Sequence, residues 1–272
     1  MTSKLVSAVL FVFLVGVRTV SVGAETRPSV SDFLSQVQAT YDKMESYSSA
    51  GEITSDISVP GMGPQKAHYI FSIKLARPNL YRIEWEEHAP MITVKGAAWS
   101  AGDGNFVSVP GQTNPLEPKD LTTALAMATG ISGGAAATIP AVFFSMRNDD
   151  LKSLKDVAIG QDADIEGDPC YVITGNAAPI KATLWISRKS KLIRQTRTDF
   201  NGPMKMPEMT DAMAAKVIES MGQKPTPEAI QIMKAQMASA RTVMSSGVTG
   251  FSIEVHRQIV MNHAFGKADF AK

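Results

Sequence analysis

The sequence predicts an α+β fold, a strongly curved antiparallel sheet that forms an open half-barrel with helices on its concave face. Three observations carry this prediction. Apolar and polar residues alternate over many short segments, which is the period of half-buried strands. Turn sequences such as Gly61-Met62-Gly63-Pro64 and Gly102-Asp103-Gly104 join these segments and favour hairpins. Helical patterns lie before and between them, and a single sheet of this length curls, so that its concave face must be covered.

The elements follow in chain order. A first helix is predicted after Ser29 or Ser31, either of which can cap it, and its apolar stripe consists of Phe33, Val37, Tyr41 and Met44. Strands are then predicted at Ser49–Val59, Ala67–Ala76, Leu80–Glu86, Met91–Lys95 and Asn105–Val109. Later strands are predicted at Lys155–Gln161, Cys170–Gly175, Ala182–Ser187, Leu192–Asp199 and Gly250–Val260.

Two stretches interrupt the strands. Leu121–Met146 is rich in Ala, Thr, Gly and large apolar residues and is broken at Gly133-Gly134, which predicts two short helices with a flexible joint. Residues 203–247 carry two helical stripes separated by Gly222 and Pro225-Thr226-Pro227. We therefore expect a Met-rich helical hairpin, inserted between two strands and projecting from one edge of the sheet.

The N-terminus has the pattern of a secretory signal. Lys4 precedes the apolar run 5–17, and Val22-Gly23-Ala24 supplies small residues for cleavage before Glu25. We expect residues 1–24 to be a signal peptide and residues 25–272 to be one exported, periplasmic domain without a transmembrane segment. The single Cys170 rules out an internal disulfide, and a net charge of +1 gives no basic field for nucleic acid.

Catalytic and metal-binding motifs lack the context that they require. The G-x-S-x-G match at 130–134 follows a helical pattern, whereas a nucleophile elbow follows a strand. The acidic run 162–168 has no bidentate acid at the last position of a calcium loop, and the four histidines are scattered. We expect no catalytic residues, no cofactor and no metal site. The thioethers of Met204, Met206, Met209 and Met213 suit Cu(I), so a copper-binding or partner-binding module stays the alternative.

Arg77 continues an apolar strand face. Phe71, Ile73 and Leu75 alternate with more polar neighbours, and Arg77 falls on their side before Pro78 ends the strand. A buried guanidinium needs acceptors for its donors, whereas an arginine at a strand end can also extend to water. Both interpretations fit the pattern.

The run Arg77-Pro78-Asn79-Leu80 resembles the LolA/LolB-type periplasmic lipoprotein carriers, in which an apolar strand ends in the same four residues. An aromatic residue and an Asp-Gly turn follow in that family, as Trp99, Asp103-Gly104 and Phe106 do here. Residues 41–47 match the end of the family's first helix, and Ala128-Thr129-Gly130 is similar to its lid segment. The resemblance covers residues 30–109 best, and the long insertion at 203–247 departs from it, which leaves the cargo open.

The resemblance implies a non-catalytic carrier or sensor of acyl chains or lipoproteins, with partner proteins at the inner and outer membranes. It also implies that Arg77 is a latch, donating to carbonyls of the lid or of the end of the first helix. The apolar residues expected to line the ligand cavity are Phe71, Ile73, Leu75, Tyr81, Ile83, Trp85, Ile92 and Val94. Those expected on the lid are Leu125, Met127, Ile131, Val142 and Phe143.

Overall fold

The computed structural model describes residues 27–89, 92–146, 151, 154–177 and 180–272. The expected signal peptide, its cleavage site and Met91 lie outside the described residues. In the part of the chain that is described, no helix is long and apolar enough to cross a membrane.

Eleven strands of the described chain form one antiparallel sheet. They are β1 Ser46–Val59, β2 Gly63–Ala76, β3 Leu80–His88, β4 Thr93–Ser100, β5 Phe106–Ser108, β6 Lys155–Ile159, β7 Ala163–Ile165, β8 Asp168–Ala177, β9 Ile180–Ser187, β10 Ile193–Gly202 and β11 Val248–Met261. Their order is β5-β4-β3-β2-β1-β11-β10-β9-β8-β6, with β7 beside β8. The sheet is therefore open, and the predicted fold class is confirmed.

Five helices accompany the sheet in the described residues: α1 Val30–Asp42, α2 Leu121–Ile131, α3 Thr138–Phe143, α4 Asp211–Ser220 and α5 Pro227–Ser245. Side chains cap the helices locally: Ser29 accepts from the Asp32 N–H at the start of α1, and Asp120 accepts from the Thr123 N–H at the start of α2. The helices α1, α2 and α3 bury their apolar residues against the concave face, where they share one core with the sheet. The N-terminal helix and the two-helix lid were both predicted.

The strands differ from their predicted limits in two places that matter. β4 begins at Thr93, later than expected, which leaves Ile92 before the strand. The three-residue strand β7 was not predicted, because its short polar run has no alternation to identify it.

The inserted hairpin, formed by α4 and α5, lies between β10 and β11 as predicted. Its projection from an edge is wrong, because β10 and β11 are central strands and α4 ends against the segment before α2. There the Lys119 N–H donates to the Ser220 carbonyl at 2.9 Å. Gly222, at φ +78°, is needed at this contact because a Cβ would lie 2.3 Å from the Glu117 carbonyl oxygen.

Candidate functional site

The inward faces of β2, β3 and β4 form a region that we call the packed half. Phe71 pairs with Trp85, Ile73 with Ile83, and Leu75 with Tyr81 across the two strands. All six side chains are buried, and they continue into Ala98 of β4 and Val107 of β5. Large aromatic and branched side chains therefore fill the space beneath the helices here.

The eight residues expected to line a ligand cavity are placed differently from the prediction. Six of them, Phe71, Ile73, Leu75, Tyr81, Ile83 and Trp85, belong to the closed core, and Val94 is half-buried at the start of β4. Ile92 is 63% exposed, and its expected place in a ligand cavity stays a prediction. None of the eight lines either of the two cavities, of about 450 and 400 Å³, that adjoin α1 and the lid. The six core side chains are large enough to contact one another and leave no such space.

We call the inward faces of β9 and β10 the hollow half. The larger cavity, of about 450 Å³, lies between these faces and the lid helices α2 and α3. The lid contributes Leu125, Ala126, Thr129, Thr138, Ala141 and Val142, and the strands contribute Ala182, Leu184, Thr196 and Thr198. Ala182, Thr196 and Thr198 are smaller than the aromatic and branched side chains of the packed half. The space that they leave is the cavity.

A second cavity, of about 400 Å³, lies between α1 and β6. Its wall includes Leu34 of α1 and Val157 of β6, and it shares Leu151 and Leu154 with the larger cavity. The two spaces therefore adjoin on either side of these leucines.

The five expected lid residues are all on α2 or α3. Leu125 and Val142 are buried and line the larger cavity. Met127 and Ile131 are partly buried against the core, and Phe143 is fully buried at the end of α3. The lid therefore faces the cavity with a subset of the residues that the sequence suggested.

Arg77 contacts both α1 and the lid. Its Nε donates to the Met44 carbonyl at 3.3 Å and its Nη2 to the Tyr41 carbonyl at 3.2 Å, at and just after the C-terminal end of α1, where the helix dipole favours a cation. The guanidinium also lies 4.6 Å from the ring centre of Phe143, the last residue of α3. In the described chain Arg77 makes its hydrogen bonds to the end of α1 and none to the lid carbonyls, so a latch acting on the lid would work through Phe143.

A strip of polar residues lies on the inward face of β1 and β11, between the two halves, and extends to Thr196 of β10 in the hollow half; sequence reasoning missed it. We call Ser49, Thr196, Glu254 and His256 the polar strip. Glu254 Oε2 accepts from the hydroxyls of Thr138 at 2.9 Å and Thr196 at 3.2 Å. His256 Nε2 lies 3.1 Å from Glu254 Oε1, and its Nδ1 lies 3.4 Å from the Ser49 hydroxyl.

The polar strip was missed because β11 reverses the usual strand pattern, in which apolar residues face inward and polar residues face outward. In β11 the apolar Ile253 and Val255 face outward and are half-buried, whereas Glu254 and His256 point inward and are buried. Nearby, burial raises the pKa of the Tyr41 and Tyr47 hydroxyls well above the usual tyrosine value. A run of alternating polar residues inside a strong β pattern was the signal available in the sequence.

The residues considered for metal or thiol chemistry line neither of the two cavities. Among the described residues no group of three or more His, Cys, Asp or Glu is placed to hold a metal ion. Met204, Met206 and Met209 are half-buried in the extended segment before α4, and Met213 is 42% exposed on α4. Burial raises the pKa of the Cys170 thiol to about 11, which keeps it protonated and unreactive near neutral pH.

No protein-family model matches the sequence, and the comparison with curated proteins finds no match. Among solved structures, the chain is similar to LprF from Mycobacterium bovis, at 8% sequence identity and a TM-score of 0.43 over 88% of this chain and 96% of that one. It is similar to a LolA superfamily protein from Nitrosomonas europaea, at 9% identity and a TM-score of 0.31 over 90% and 99% of the two chains. A DUF1329 family protein from Desulfovibrio piger matches at 10% identity and a TM-score of 0.33 over 88% and 95%. These likenesses of fold assign no function to this chain.

Proposed function

We propose that the chain is a non-catalytic carrier or sensor of acyl chains, including those of lipoproteins. The observation that carries this proposal is the cavity of about 450 Å³ between the lid and the hollow half. Its volume lies in the range of about 300–1,000 Å³ that ligand sites occupy. Leu125, Val142 and Leu184 give it an apolar wall of the kind that an acyl chain requires.

The cavity suits one chain in size. A water molecule takes about 30 Å³ of liquid volume and a methylene group is similar, so 450 Å³ holds about fifteen such groups. Burying each methylene contributes about 0.8 kcal/mol, which amounts to about 10 kcal/mol before the costs of association. Apolar burial alone therefore supplies enough free energy for binding, and no catalytic group is needed.

Arg77 fits the part of a latch in this proposal. Its hydrogen bonds to the end of α1 and its contact with Phe143 tie α1 to the far end of α3, beside the cavity wall. A few hydrogen bonds of this kind bias the lid without outweighing a buried acyl chain.

The remaining parts of the proposal concern location and partners. The signal pattern at residues 1–24 supports export to the periplasm, where a carrier of acyl chains would exchange cargo with proteins at the inner and outer membranes. Recovery from a periplasmic extract of a chain that begins at Glu25 would support this location.

The test is to measure the lipid that co-purifies with the exported protein by mass spectrometry, before and after the cavity is filled. Ala182→Phe places a ring in the hollow half and should reduce bound lipid by about tenfold, because it removes most of the room for a chain. Lys181→Phe is the matched control, since it adds the same ring to the same strand on the opposite, exposed face. Equal lipid in Ala182→Phe and the wild type would refute the proposal.

A further inference from the structure

A buried carboxylate lies behind the polar wall of the larger cavity. Glu254 is 6% exposed, and its Oε2 accepts hydrogen bonds from Thr138 of the lid and Thr196 of β10. Both threonines line the cavity. Because each hydroxyl donates its one proton to Glu254, the direction of both protons is fixed away from the cavity.

The hydroxyls of Thr138 and Thr196 therefore present acceptors to a ligand. A hydroxyl has one donor proton and two lone pairs, so a threonine that already donates keeps lone pairs for the cavity. Thr129 behaves in the same way, since its hydroxyl donates to the Leu125 carbonyl within α2 at 2.8 Å. Three polar groups around one space thus accept hydrogen bonds from whatever occupies it.

The guanidinium of Arg197, which could neutralise an anionic ligand, points away from the cavity. Arg197 is the basic residue among the described residues that line the cavity, and strand alternation places its side chain opposite to Thr196 and Thr198. Its Nε donates to Asp199 at 2.8 Å, and its guanidinium lies 4.5 Å from the ring centre of Phe251. The His256 ring contacts Glu254 on Oε1, the oxygen that the two threonines do not use, and it does not line the cavity. An anionic head group inside the cavity would therefore face Thr138 and Thr196, whose protons point to Glu254, and an anion without a donor is costly in a low-dielectric site.

We propose that the cavity selects amphiphiles whose buried part carries a hydrogen-bond donor and no negative charge, such as a hydroxyl, an amide N–H or an ammonium group. It discriminates against free carboxylic acids and phosphates. This inference rests on the proposed function, because it names the chemical class of the cargo that the same cavity holds. Glu254 is the positioning residue, which orients Thr138 and Thr196 and gives the wall its negative character.

The experiment uses four probes with the same sixteen-carbon chain: the alcohol, the primary amide, the amine and the acid. Each probe displaces a fluorescent acyl reporter from the purified protein at neutral pH. We expect the three donor probes to bind about tenfold or more tightly than the acid, a factor typical of losing one polar partner at a charged, buried group. The relative order of the alcohol, the amide and the amine then identifies which donor the wall prefers.

Variants assign the selectivity to Glu254. Glu254→Gln keeps the shape but removes the charge, and should bring the acid to within about threefold of the alcohol. Thr196→Val, which removes one oriented hydroxyl without changing the size of the side chain, should weaken the alcohol more than the acid and provides a test if Glu254→Gln does not fold. Glu86→Gln, on the outward face of β3 beside Lys95, is the matched control and should keep the wild-type ratio.

The outcomes separate this inference from the proposed function. If the wild type binds the acid as tightly as the alcohol, or if Glu254→Gln and Thr196→Val both keep the wild-type ratio, the selectivity proposal is overturned while the carrier function stands. If none of the four probes displaces the reporter and no lipid co-purifies, the carrier function itself fails. A donor preference that falls in Glu254→Gln supports both.

Discussion

The packed half and the hollow half of the sheet bury similar faces under the same helices, yet one is filled and the other encloses a cavity. In β3 the inward positions carry Tyr81, Ile83 and Trp85, whereas in β9 and β10 they include Ala182 and Thr196. The backbone geometry of the two halves is the same antiparallel ladder. The size of the inward side chains therefore decides which half is core and which can hold a ligand.

The lid contacts both the packed half and the hollow half. Helix α2 contacts β4 and β5 of the packed half, while Leu125 on the same helix borders the cavity. A helix that is anchored on one side and faces empty space on the other loses dispersion contacts only on the second side. We therefore expect opening to occur over the hollow half, with the packed half as the fixed base.

The largest expected effect is the cost of removing a core side chain from each half. Ile83→Ala in the packed half should lower the free energy of unfolding by about 3–4 kcal/mol, because it leaves a void among close-packed neighbours. Leu184→Ala in the hollow half should cost only about 1–2 kcal/mol, since one side of Leu184 already borders the cavity. Urea denaturation of both variants measures the difference, and equal losses would contradict the distinction between the halves.

A smaller effect is expected at Arg77, which follows β2 of the packed half and contacts the lid. Arg77→Leu should keep the fold, lower the free energy of unfolding by about 1–2 kcal/mol and reduce hydrogen-exchange protection across residues 121–146. The reason is that Arg77 joins the end of α1 to Phe143 of the lid.

Arg82→Leu is the matched control for Arg77. Arg82 lies on the neighbouring strand and pairs with Glu84 at 2.7 Å, away from the lid. Its replacement should leave exchange in residues 121–146 unchanged. The latch hypothesis would be abandoned if Arg77→Leu and the wild type showed identical protection there.

The sequence predicts the buried faces well but not the cavity. Alternation identified Phe71, Ile83 and Trp85 as inward residues, yet alternation reports which side of a strand is buried and says nothing about whether the space above it is filled. The cavity depends on how the lid packs against β9, which is a feature of the tertiary structure that a local sequence pattern does not contain. Ile92 was predicted to lie within a strand but precedes β4, because strand limits are the least determined part of such a pattern.

The site residue that the sequence hid most effectively is Glu254. A carboxylate between Ile253 and Val255 normally faces water while its neighbours face the core. Here the orientation is reversed, because hydroxyls on the lid and on β10 donate hydrogen bonds to the Glu254 carboxylate in the interior. Such a reversal depends on partners far away in sequence, and no local pattern records them.

The smallest expected effect concerns the outward side of the junction between the halves, where Glu52 of β1 meets Arg257 of β11 at 2.7 Å. Hydrogen bonds from Arg257, and then from His68, hold the pKa of Glu52 below its usual 4.5. The stabilisation that results is complete above that usual value and is lost as the pH falls through the lower, folded value. Because the pair is partly solvent-exposed and therefore screened, we expect less than about 1 kcal/mol. Urea titrations between neutral and acidic pH should show this loss in the wild type and not in Glu52→Gln. Arg257→Leu, which removes the main partner, should shrink it too, and an unchanged pH dependence in both variants would show that Glu52 contributes nothing at this junction.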